Sequence, residues 1–132
     1  MTERSVSACW TGGLSATVDA NGFRVVADEP ESVGGTGTGP QPTELLLASV
    51  ASCFTLALAH TAAKRDVPLA GLRVDVTGHY DGPRFDAFRI AVRTETPRGA
   101  ELDELMTAAQ RVCYVTRTLA SPREIEFVVD HG

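Results

Sequence analysis

Residues 43–65 read TELLLASVASCFTLALAHTAAKR, and no other segment constrains the fold as much. Leu45, Leu46, Leu47, Val50, Phe54, Leu56 and Leu58 fall on nearly every face of a 3.6-residue period. A helix from Glu44 to about Arg65 is therefore apolar all round and needs burial on several sides. Thr43 is placed to cap it, and Pro42 with the acidic Glu44 fits a helix start. A chain of 132 residues has few elements with which to surround such a helix. That leaves two ways to cover it, a second subunit or a curved sheet of the same chain. The most apolar part, Leu45 to Ala59, is short of the ~20 residues that span a bilayer. Ser49, Ser52, Cys53 and Thr55 dilute it further, so the helix reads as the core of a soluble protein.

The flanking segments alternate rather than recur at helical spacing. Residues 5–11 and 14–20 form a first hairpin bent at Gly12-Gly13, and LSATVDA has the period of a half-buried strand. Asn21-Gly22 is a hairpin turn signal leading into FRVVA. Residues 28–42 then make a long loop, whose stretch GGTGTGPQP reads as a flexible connector. Beyond the helix, LRVDVTGHYD and FDAFRIAVRTET alternate around the turn Asp81-Gly82-Pro83. ELDELMTAAQRVC places Leu102, Leu105, Met106, Ala109 and Val112 at helical spacing, and YVTRTLAS adds a further turn or two. REIEFVVD, after Pro122, reads as a closing strand. The order predicts one α+β domain over residues 1–132 with a largely antiparallel sheet.

Charge and composition narrow the function. With 12 Lys and Arg against 17 Asp and Glu, the net charge is −5, and no basic tail is present. Nucleic-acid and anionic-membrane binding need a basic face and are disfavoured. The stretch at 34–42 lacks both the Lys-Ser/Thr ending of a P-loop and the spacing of a dinucleotide fingerprint. His60, His79 and His131 are scattered, and no CxxC, HxxxH or HExxH occurs, so no metal site is expected. Three cysteines and no apolar signal core argue for a cytoplasmic protein with free thiols, any pairing between them being transient chemistry. Each of Cys9, Cys53 and Cys113 taken alone is a small buried hydrophobe. A working pair requires Cα atoms within about 7 Å, which spacing does not reveal.

GTGTGPQPTELLLASVASCFTLAL, followed some sixty residues on by RVCYVTRTL, resembles the OsmC/Ohr family of osmotically inducible and organic-hydroperoxide-resistance proteins. The early Trp-Thr-Gly-Gly, the ADEPESVGG loop and the alternating strands extend the resemblance over nearly the whole chain. It implies an OsmC-like fold: a curved antiparallel sheet, a long central helix, a second helix, and an intertwined homodimer. It also implies a thiol-dependent peroxidase that acts on organic hydroperoxides or hydrogen peroxide. Cys53 would attack the O–O bond and become a sulfenic acid, Cys113 would condense with it, and a dithiol or lipoyl-type reductant would reopen the disulfide. No metal, flavin or haem is required. The alternative is an OsmC-fold stress-associated or binding protein whose thiols respond to oxidant with weak turnover. A third reading is a plain dimeric α+β module with cysteines in its core.

A thiol of pKa about 8.5 needs help to ionise at neutral pH. In the family an arginine supplies it, oriented by a glutamate, and Glu44 matches that glutamate in members reading Pro-x-Glu. Members reading Pro-Glu place it where this chain has Thr43. Glu44 and Cys53 are nine residues apart, ~13 Å along a straight helix and on opposite sides of it. Glu44 thus reaches its own Cys53 only through an irregular first turn or from a partner subunit. It has a second reading as an acidic residue favouring the helix dipole. Where family members place the arginine, this chain has Leu14, and none occurs between Val25 and Pro42. Arg24 is the first substitute and Arg117, four residues after Cys113, its rival. His60 lies on the face of Cys53 but ~10 Å further along. Phe54, Tyr80 and Tyr114 are expected to pack or to wall an apolar substrate pocket.

Overall fold

The computed structural model describes residues 2–132, which fall into two compact units meeting in the chain at Leu47 and Ala48. In the first unit, β1 (Ser7–Gly12), β2 (Ser15–Ala20) and β3 (Phe23–Ala27) form an antiparallel meander in sequence order. Asn21 and Gly22 both take positive φ, 55° and 84°, as the tight turn between β2 and β3 demands. The Asp19 carboxylate accepts a hydrogen bond from the Gly22 N–H at 3.0 Å.

The loop after β3 is an organised structure rather than the flexible connector its glycines predict. Asp28 is buried, and its carboxylate accepts from the N–H groups of Glu29 (2.7 Å) and Thr38 (3.1 Å) and from the hydroxyls of Thr36 and Thr38. The Thr36 hydroxyl, followed by the donors of Thr38, holds the carboxyl far below the usual carboxylate range against the opposing effect of burial. The Asp28 N–H donates in turn to the Pro40 carbonyl at 3.1 Å. Gly39 is required by close approach, since a Cβ there would lie 2.4 Å from the Val26 carbonyl oxygen.

Helix α1 (Pro42–Lys64) opens two residues earlier than Thr43 capping predicts. Proline is the first helical residue, where its missing N–H costs nothing. Gln41 stands in the capping position: its carbonyl accepts from Leu45 N–H (3.0 Å), and its own N–H donates to the Glu44 carboxylate (2.9 Å). This is the reciprocal arm of a capping box.

The second unit contains α1 from Ala48 onward, the hairpin β4 (Arg73–Asp81) and β5 (Arg84–Arg93), α2 (Ala100–Val112) and α3 (Tyr114–Leu119). The hairpin register pairs Val74 with Val92 and Val76 with Ile90, and it shifts at His79/Tyr80. Phe54, Leu58 and Leu105 are the large, fully buried side chains of the core, joined by Ala57, Ala62, Ala109 and Cys113. Val74, Ile90, Val92 and Met106 close over them. Burying each large side chain contributes about 1.5–3 kcal/mol of transfer free energy.

The α+β class and the antiparallel pairing are as expected, with the strands divided between a three-stranded and a two-stranded sheet. Of the two ways to cover α1, the chain by itself leaves one face open: Leu56 is 67% exposed, and Ala59 and Ala63 beside it are also open. Two other expectations fail. First, at 23 residues α1 is long and apolar enough to cross a membrane, which corrects the length argument from Leu45–Ala59. Its packing of Phe54, Leu58 and Ala62 into the cluster shared with α2 is that of a core helix. Second, residues 123–130 form no strand. Ile125, Phe127, Val128 and Val129 are exposed there, Phe127 by 91%. Alternation reports which face of a strand is apolar but supplies no neighbour to pair with.

Candidate active site

Cys53 and Cys113 come from different elements and meet in one cluster. Cys53 is half-buried on α1 and packs against the core that contains Cys113. Cys113 has no exposed surface. It is the single residue between α2 and α3, with φ −83° and ψ 103°, an extended kink that lets one helix stop and the next begin. Its carbonyl accepts from the Arg117 N–H at 3.1 Å. The Thr116 hydroxyl donates to that carbonyl oxygen at 3.3 Å. Burial pushes the Cys113 thiol up, but the Thr116 donors, Cys53 and Val115 outweigh it and bring the group below the usual thiol range. All three cysteines are free thiols, Cys9 an exposed one on β1.

A cavity of about 330 Å³ is lined by Phe54, which follows Cys53, and by Ile90, Met106, Gln110, Thr116 and Arg117; neither cysteine is on its wall. A neighbouring cavity of about 390 Å³ shares Ile90 and Thr116 and adds Val50, Phe88 and Leu119. Both are mainly apolar, with Gln110, Thr116 and Arg117 as the polar members of the first and Asp86 and Thr116 of the second. The Arg117 guanidinium donates to the Arg111 carbonyl at 3.3 Å. The cluster thus holds one half-buried and one fully buried cysteine.

The profile of the OsmC-like protein family matches residues 35–128, more than two thirds of the chain and both cysteines. The chain belongs to the OsmC-like protein family. Solved structures agree on the fold. An OsmC-like protein from Mycoplasma pneumoniae superposes with a TM-score of 0.75 at 20% identity, covering 90% of this chain and 88% of that one. The organic hydroperoxide resistance protein OsmC from Legionella pneumophila gives 0.68 at 20% identity, with 90% of each chain covered. The organic hydroperoxide resistance protein OhrB of Bacillus subtilis gives 0.59 at 24%, covering 88% of this chain and 90% of that one. No curated protein matches the chain.

The remaining residues singled out in this OsmC-like chain have their own partners. Arg24 lies on β3 in register with Asp19 of β2, and Glu44 caps α1 through Gln41; both belong to the first unit. Gln41 also donates from its side chain to the Glu29 carboxylate at 2.8 Å. Arg117 is the arginine that the second unit places on the first cavity. His60 is exposed on a different groove, with Lys64, Arg65 and Arg111. Tyr114 is 81% exposed, and Tyr80 stacks on Phe85 at 4.5 Å; neither walls either of the two cavities. Sequence reasoning missed Thr116, which hydrogen-bonds the Cys113 carbonyl and lines both cavities, although its position three residues after Cys113 at a helix start was the available signal.

Proposed function

We propose that this protein is a thiol-dependent peroxidase reducing organic hydroperoxides. Its attacking sulfur is Cys53, which becomes a sulfenic acid, and its resolving sulfur is Cys113. The observation that carries the reading is the packing of a half-buried Cys53 against the cluster that encloses Cys113, with Phe54 of that cluster also lining an apolar cavity. An open sulfur admits peroxide, and an enclosed neighbour condenses with the sulfenic acid before further oxidation. Apolar lining favours an alkyl hydroperoxide over hydrogen peroxide. A dithiol or lipoyl-type reductant completes the cycle, and the reading places the protein in the cytoplasm, where thiols stay reduced.

The working unit in this proposal is a homodimer. Its support is the apolar surface one chain leaves open: Leu56 on α1, Tyr114 on α3 and the Ile125–Val129 stretch.

One observation favours a second reading, a redox-sensitive stress-associated protein with weak turnover: Leu14 stands where family members place the arginine, and none occurs between Val25 and Pro42. Reduced protein mixed with cumene hydroperoxide and dihydrolipoamide separates the two. Rapid loss of two thiols with sustained turnover is the peroxidase result, and a single stoichiometric oxidation is the other. Cys53→Ser is expected to abolish peroxide consumption, and Cys113→Ser to accumulate Cys53 sulfenic acid, read by dimedone labelling. Full activity in Cys53→Ser would overturn the assignment.

A further inference from the structure

The chain has more acid than base, 17 Asp and Glu against 12 Lys and Arg, yet one groove of the second unit has only cations among its charged residues. Its volume is about 350 Å³, and it is lined by His60 and Lys64 of α1, Arg65 just beyond, and Arg111 of α2, together with Ala108 and Val112. Neither Cys53 nor Cys113 is on its wall. Lys64, Arg65 and Arg111 are exposed, and their side chains have no hydrogen-bond or ion-pair partner among the described residues. The ion pairs present there lie on the β4–β5 hairpin instead: Arg73 with Asp75, His79 with Asp86 and Arg84 with Asp81. Acids are near at hand, since Asp103 and Glu104 line an adjoining groove with Arg65 and Arg111, but no pair forms.

Helix capping does not use these cations either. At the end of α1 the Thr61 carbonyl accepts from the Arg65 N–H (3.1 Å) and the Ala62 carbonyl from the Val67 N–H (2.9 Å). The Arg111 carbonyl accepts from the Arg117 guanidinium at 3.3 Å. The helix dipole favours a cation in each last turn, Lys64 on α1 and Arg111 on α2. It does not account for Arg65, or for both helix ends opening on one groove.

We infer that this groove is a binding site for a small phosphate-bearing anion, held between the guanidinium groups of Arg65 and Arg111 and the Lys64 ammonium. Three like charges around one hollow repel one another, and a bound anion turns that repulsion into attraction. A carboxylate offers one charge and two acceptor oxygens. A phosphate monoester offers nearly two charges and three oxygens, enough for a planar fork on either side and an ammonium besides. His60 adds an imidazole that can hydrogen-bond a further oxygen. The volume is at the small end of the range for small-molecule sites. Nucleic acid would need a more extended basic face than one groove supplies. The inference stands apart from the peroxidase reading, because the groove shares no residue with the thiol pair.

The test follows the thermal midpoint of the reduced full-length protein against inorganic phosphate, with ionic strength held constant by sodium chloride. The midpoint is expected to rise with phosphate as mass action requires. Arg65→Gln and Arg111→Gln should each weaken the apparent affinity about tenfold, as the loss of charged hydrogen bonds does. Arg111→Glu should abolish binding. Arg89→Gln, which removes an exposed cation of β5 outside the groove, should leave it unchanged. The midpoint of each variant without phosphate is its own reference, and sedimentation keeps a change of association from being read as lost binding. Glycerol phosphate binding more tightly than inorganic phosphate marks the ligand as an ester, and equal binding marks free phosphate; both support the site. Succinate binding as tightly as phosphate overturns the inference, as does a rise that Arg111→Glu retains. No rise beyond the chloride control also overturns it, leaving the three cations as solvated charges at helix ends.

Discussion

At the scale of single residues, the buried Asp28 carboxylate follows a simple rule: a buried anion persists where donors surround it. For Asp28 this sets the acid behaviour of the first unit. Its folded pKa is depressed, so its contribution to stability is complete above the unfolded value of about 3.9 and is lost as pH falls through the folded value. Asp28→Asn turns an amide N–H₂ toward the donors of Glu29, Thr36 and Thr38. We expect a thermal midpoint several degrees lower at neutral pH, and a smaller loss of stability than wild type on acidification below about pH 4, followed by circular dichroism. None of this was legible from sequence, because the threonine donors lie eight and ten residues away and reach Asp28 only once the loop has folded. The cysteines were legible as a motif, while their meeting was not: an enclosed Cys113 against a half-open Cys53 is a product of where α1 and the α2–α3 kink cross.

At the scale of elements, what could be read was whatever periodicity controls. The alternation of β4 and β5 and the helical spacing of α2 describe surfaces that each segment buries by itself against the core. The start of α1 moved to Pro42 because the reciprocal Gln41–Glu44 cap outcompetes a Thr43 cap. That same bond gives the Glu44 carboxylate a structural partner. Ile125 to Val129 shows the opposite failure, an apolar alternation with no strand beside it. On α1, Leu58 is fully buried while Leu56 is open, so the two leucines separate core from surface within one turn. Leu58→Ala is expected to cost about 2–5 kcal/mol in urea unfolding. Gly78→Ala should also destabilise, since its new Cβ would sit 2.6 Å from the Phe85 ring. Gly82→Ala is the complementary case: φ there is 61° with nothing within 4 Å of a new Cβ, so its loss reports backbone strain without a clash.

At the scale of the whole molecule, the open apolar surface is the ground for the proposed second copy. Sedimentation is expected to give twice the chain mass for wild type. Leu56→Lys and a chain ended after Ser121 should both shift toward the single-chain mass, the first without loss of helix signal. A wild type that sediments as one chain at every concentration would remove the dimer from the proposal. In the proposed peroxidase cycle, the unequal exposure of the two cysteines governs traffic. Oxidant and reducing dithiol must arrive at the same doorway, Cys53, and cannot occupy it together. The alcohol therefore departs before the dithiol enters, the outside thiol bonds to Cys53 and ejects Cys113, and initial-rate plots at several dithiol concentrations run parallel, as in a ping-pong scheme.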